Sequence, residues 1–108
     1  MQTIVHVYCT SGQSLREKIA SDGRLEDHKL QVTKEQKPGR APGWLKVRST
    51  MSERRGAVNI EWDASTAVLK CRVVNRGSGR PNFIVGDFIE YLLACHRLRL
   101  RAVVIVPR

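Results

Sequence analysis

Hydrophobic and polar positions alternate with a period of two along most of this chain, and the period lengthens in only two places. Thr3 to Cys9 alternates β-branched and polar residues, which predicts a strand. Leu15 and Ile19, one helical turn apart, predict a short helix over Ser14–Ser21, capped by Ser11 or Ser14 and stopped by Gly23. Leu30–Thr33 and Trp44–Ser49 read as further strands; in the second, Leu45 and Val47 share one face and Trp44, Lys46 and Arg48 the other. The clearest hairpin spans Ala57 to Val74. Val58, Ile60 and Trp62 align on one strand, Leu69, Cys71 and Val73 on the next, with a turn at Asp63–Thr66. The period then changes: Val85, Phe88, Ile89 and Leu92 form a helical stripe within Phe83–His96, with Asn82 placed to cap it. Leu100–Val106 is apolar on both faces, as in an interior strand or an edge covered by a partner chain.

These elements predict an α+β fold: a mostly antiparallel sheet of five or six strands, with one long and one short helix packed on one face. Residues 1–108 fit a single compact domain, interrupted by a basic Gly/Pro loop at about 36–43 and a second loop at 75–82. Hydrophobic content of 42% and charged content of 27% argue against wholesale disorder. No apolar run approaches the roughly 18 residues of a membrane span, and Met1–His6 has neither the basic nor the apolar region of a signal peptide. Cys9, Cys71 and Cys95 include no Cys-x-x-Cys pair, which points to a reducing, cytoplasmic setting.

Charge changes this picture more than composition does. Lys and Arg total 19 against 10 Asp and Glu, a net of +9. Residues 1–27 are close to neutral, so the excess belongs to the folded body and not to a detachable tail. A field of this sign attracts polyanions, nucleic acid first. If the helices cover one sheet face, strand phase points Trp44, Lys46, Arg48, Lys70 and Arg72 out of the other, joined by Arg99 and Arg101 from the last strand. Cations that pair with phosphates beside a ring that stacks a base suit RNA or DNA binding. The competing view is a plain solvated sheet face. Arg40 in Lys37–Gly43, and Arg76 and Arg80 in Arg76–Pro81, extend the basic surface. Both loops resemble the AT-hook core Arg-Gly-Arg-Pro, without its paired Arg-Gly-Arg.

Catalytic chemistry has one weak candidate, Cys9. The stretch Cys9-Thr10-Ser11-Gly12-Gln13-Ser14 resembles the cysteine loop of sugar phosphotransferase-system IIB domains, Cys-x-x-Gly-x-Ser/Thr, which implies a thiol that accepts a phosphoryl group. Those domains use parallel βαβ order, and the later chain here reads as hairpins. The spacing to Arg16 is one residue longer than the Cys-x5-Arg loop of cysteine-dependent phosphatases. Asn75–Asn82 runs through two glycines into a helix start but lacks the Gly-Lys-Ser/Thr of a P-loop. Cys71 and Cys95 read as core residues, Asp87 and Glu90 as a solvated helix face, and His6, His28 and His96 have no metal-ligand spacing. No metal or cofactor is expected, and a binding role is favoured over an enzymatic one. The alternative to nucleic-acid binding is a protein-interaction or homodimerisation domain. It would use the C-terminal strand, or the helix at 83–96, where Ile84, Tyr91 and Leu93 widen the apolar stripe.

Overall fold

The computed structural model describes residues 2–35, 45–51, 55–75 and 81–107. Among the described residues are six strands: β1 (Gln2–Cys9), β2 (Leu30–Glu35), β3 (Leu45–Ser49), β4 (Gly56–Asp63), β5 (Val68–Asn75) and β6 (Leu100–Pro107). The helices are α1 (Leu15–Ala20) and α2 (Pro81–Cys95), with 3₁₀ turns at Gly23–His28 and Arg97–Arg99. The fold is therefore α+β, as the alternation predicts, with one long helix. Neighbouring strands are all antiparallel, in the order β2-β3-β4-β5-β1-β6. β5 and β6 both run against β1, so they run parallel to each other, and α2 carries the chain across β1 between them. This is a split β-α-β unit. Among the described residues, no helix is long and apolar enough to cross a membrane.

Alternation places one residue set of each strand beneath the helices. Val5 and Val7, Leu45 and Val47, Val58 and Ile60, and Leu69, Cys71 and Val73 are all buried there, with Trp62 partly so. From α2 the buried residues are Ile84, Phe88, Tyr91 and Leu92, while Val85 and Ile89 are half-buried. The stripe is thus rotated from the one the sequence suggests. The cause is a second neighbour: α2 packs on β4, β5 and β1 and also against the turn Gly23–His28. Ile84 and Tyr91 consequently lie in the core and offer nothing to a second chain.

Local chemistry explains the element ends. Ser14 Oγ accepts the amide of Glu17 (3.3 Å), capping α1. α2 starts at Pro81, a residue suited to the first helical position, and not after Asn82 as the pattern suggests. Gly56 sits so close to β5 that an added Cβ would meet the carbonyl of Val74 and lie 2.8 Å from Ile84 Cδ1.

Two polar clamps hold the layers together. Arg99 donates from Nε to Thr10 Oγ1 (3.0 Å) and from Nη2 to the carbonyls of Thr10 (3.2 Å) and Gln13 (2.8 Å). It therefore pins the β1–α1 loop and does not join the outward row of cations assigned to it by strand phase. In the second clamp, Asp22 accepts from Arg24 Nε (2.8 Å) and from the Tyr91 hydroxyl (2.7 Å), with His96 Nε2 at 3.1 Å. Burial opposes ionisation of Asp22, but the hydrogen bonds from Arg24 and Tyr91 outweigh it and hold the carboxyl well below the usual range. Burial moves His96 the other way from a charged state, lowering its pKa despite the nearby Asp22.

Candidate nucleic-acid interface

The sheet face turned away from the helices carries the outward residues in three rows, fixed by strand register. Lys46, Asn59, Arg72, Ile4 and Val106 lie opposite one another across β3, β4, β5, β1 and β6. Beside that row run Arg48, Ala57, Val74 and Gln2 on one side, and Glu61, Lys70, His6 and Val104 on the other. Lys46, Arg48, Lys70 and Arg72 thus share one face, with adjacent strands roughly 4.8 Å apart. Strand alternation alone sets this: each is one residue out of phase with the buried Val47, Leu69, Cys71 or Val73.

The face is concave at β3–β5. A depression of about 800 Å³ is lined by Lys46, Arg48, Arg55, Asn59 and Arg72, with the small residues Gly56 and Ala57 at its floor. A smaller one, about 200 Å³, is lined by Ile4, His6, Glu61 and Lys70 and shares Asn59 and Arg72 with the first. The two therefore form one trough running from the basic strands toward β1.

The cations differ in how strongly the protein engages them. Arg48 Nη2 donates to Gln31 Oε1 (2.8 Å). Lys70 Nζ lies 3.6 Å from Asp63, whose carboxyl is held down to about 2 chiefly by the Ser65 hydroxyl. Among the described residues, Lys46, Arg55 and Arg72 have no carboxylate within ion-pair distance. Lys70 is accordingly the cation least available to an outside anion, and Arg72, at the centre of the trough, the most telling. Arg40, Trp44, Arg76 and Arg80 lie outside the described residues, as do most of the loops at 36–43 and 75–82.

Sequence reasoning missed the aromatic part of the face. His6 extends from β1 beside Lys70, and Tyr8, 41% exposed, follows it on the same face opposite Val68. Their outward phase is readable from Thr3–Cys9, but β1 being the neighbour of β5 is not, because that pairing joins residues some 65 positions apart. Arg55 is likewise placed only by the fold, whereas Asn59 opposite Arg72 follows from the alternation of the 57–74 hairpin.

Cys9 departs from its candidate role. It is 4% exposed, its Sγ points to the Val7 carbonyl (3.5 Å), and burial raises its pKa. A buried thiol of this kind is a poor nucleophile. The loop that follows is a capping turn held by Arg99. Among the described residues, no group of three or more His, Cys, Asp or Glu side chains is arranged to hold a metal ion. The chain matches no protein-family model, no curated protein and no solved structure.

Proposed function

We propose that the open sheet face binds single-stranded nucleic acid, RNA or DNA, without catalysing a reaction on it. One observation carries this: the trough brings Lys46, Arg55 and Arg72, which have no carboxylate partner among the described residues, together with the half-buried His6, and the exposed Tyr8 follows His6 on the same face of β1. Phosphates lie over the cations and a base stacks on Tyr8. A duplex fits less well, since its bases are already stacked.

The test is a titration with labelled single-stranded RNA and duplex DNA across a salt series. Four neutralised phosphates give a log–log slope of about −2.8, so a fourfold rise in salt weakens single-strand binding about 50-fold. Lys46→Glu with Arg72→Glu removes binding. Tyr8→Ala costs about tenfold for the single strand, the value of one stacked base, and little for the duplex. Absence of binding at low salt, or binding indifferent to the double substitution, refutes the proposal.

A second role concerns β6, favoured by its unusual edge. The amide of Cys9 points to Ala67 beside β5, and that of Thr10 points to Arg99 beside β6. Even-numbered residues of β1 therefore bond toward β6, which leaves the backbone groups of Val103 and Ile105 directed outward. Val104, Ile105 and Val106 are 42–46% exposed, covering both faces of the strand. Such an edge is a template for pairing, and we assign it to the β6 of a second copy, which extends the sheet across a two-fold axis. Ile105→Lys should convert the dimer to monomer in sedimentation equilibrium; a wild-type chain that is monomeric at high concentration refutes this role. All three cysteines are free, which suits the cytoplasm.

A further inference from the structure

On the helix-bearing side of the molecule, away from the trough, three reactive side chains come together that the sheet face does not use. Cys95 is the last residue of α2, and His28 ends the turn Gly23–His28. His28 Nε2 lies 3.8 Å from Cys95 Sγ, and its Nδ1 lies 3.0 Å from Glu90 Oε1. A carboxylate only accepts, so Nδ1 keeps its proton and donates it in a hydrogen bond to Glu90, which leaves the Nε2 lone pair facing the thiol. The ring is fixed further by Tyr91, edge-on at 5.8 Å. Nucleophile, base and orienting acid thus occur in the order that thiol chemistry needs.

The surroundings favour the same residue. The Arg24 guanidinium, paired with Asp22, lies near enough to Cys95 for its positive charge to favour a thiolate there. His96 lies behind Tyr91 on the Asp22 clamp. The other two cysteines are enclosed, Cys9 at 4% and Cys71 at 2% exposure, whereas Cys95 is partly open.

We propose that Cys95 is a nucleophilic thiol toward small carbon electrophiles, with His28 as its general base and Glu90 as the residue that positions His28. In the step, Sγ forms a bond to the electrophilic carbon while the bond to the leaving group breaks and carries away its electron pair. The Sγ proton passes to His28 Nε2, giving an imidazolium held by Glu90. This chemistry is independent of nucleic-acid binding and stands if that fails.

Iodoacetamide tests it, with iodide as the leaving group and peptide mass mapping to locate the label. An unassisted thiol is only a few per cent ionised near neutral pH, so assistance by His28 should make folded Cys95 react about tenfold faster than the same cysteine in an unfolded peptide. His28→Asn and Glu90→Ala should both return the rate to the peptide value, with Glu90→Gln between, since its amide oxygen still accepts from Nδ1. Glu90 is 70% exposed, so its variants keep the fold even if His28→Asn does not. A merely structural Glu90 would leave the alkylation rate unmoved at every pH. Labelling of Cys95 at the peptide rate, labelling of Cys9 or Cys71 first, or a rate unchanged in Glu90→Ala overturns the proposal.

Discussion

Replacing Tyr91 by Phe removes a single oxygen from a side chain with no exposed surface and leaves its ring in place. That oxygen donates to Asp22 Oδ2 at 2.7 Å and lies 2.8 Å from His96 Nε2. A hydrogen bond to a charged acceptor contributes about 1.5–3 kcal/mol. Asp22 keeps its bonds from Arg24 Nε, Nη2 and backbone amide, so the carboxylate is not stranded. The loss therefore falls in the lower half of that range, about 2 kcal/mol, or a fall in Tm of about 10 °C for a domain of this size. Urea denaturation followed by tryptophan fluorescence measures it, repeated over a pH series. The sign of the pH dependence follows from the two partners. Asp22 is depressed, so its share of stability is complete above the unfolded carboxylate pKa of about 3.9 and is lost as pH falls through the lower folded value. His96 is also depressed, so its protonation costs stability progressively once pH drops below about 6.5. If the hydroxyl serves Asp22, the deficit of Tyr91→Phe persists from neutral pH down to about pH 4. A deficit under about 0.5 kcal/mol, or one that vanishes between about pH 7 and pH 5, refutes the assignment; the second result would make His96 the true acceptor.

Three further outcomes probe the frame. Gly56→Ala should destabilise by about 2 kcal/mol or more, because the new methyl meets the Val74 carbonyl and Ile84, both in packed elements; a variant as stable as wild type in urea would show that β4 and α2 separate easily. Ala67, at φ 54°, sits in the left-handed region, so Ala67→Gly should raise stability by up to about 1 kcal/mol in thermal melts, and a loss would point to a cost in the unfolded chain. Arg99→Ala should speed amide exchange at Thr10–Gln13 while leaving β1 protected, and unchanged exchange there would show that the clamp is not what holds the loop.

The sheet was legible because alternation is a strong signal wherever one face is buried. Val58, Ile60 and Trp62 against Leu69, Cys71 and Val73 announce their hairpin without further help, and Lys46, Arg48, Lys70 and Arg72 follow on the opposite phase. What alternation does not carry is strand order. Nothing in Thr3–Cys9 says that β1 enters between β5 and β6, so the aromatic end of the trough and the exposed edge of β6 came from topology alone. The same limit hid the relay at Cys95. His28 and Cys95 are separated by 67 positions, and no spacing rule brings a 3₁₀ turn against the end of a helix. The α2 stripe lies elsewhere for a related reason: a helix with two neighbours buries two flanks, while the spacing of Val85, Phe88, Ile89 and Leu92 implies one.

The placement of β1 also sets an order in time. Val5 pairs with Cys71 on one side and Ile105 on the other, so the earliest strand to be synthesised has no neighbour until β5 has emerged and only one until β6 follows. At about 5–20 residues per second, that is several seconds during which Val5 and Val7 are without their sheet. The β2–β5 meander, built from adjacent hairpins, needs no such wait and is the natural place for folding to begin. The first strand made is thus the last to be enclosed, and the final residues of β6 act as the bolt that closes the sheet around it.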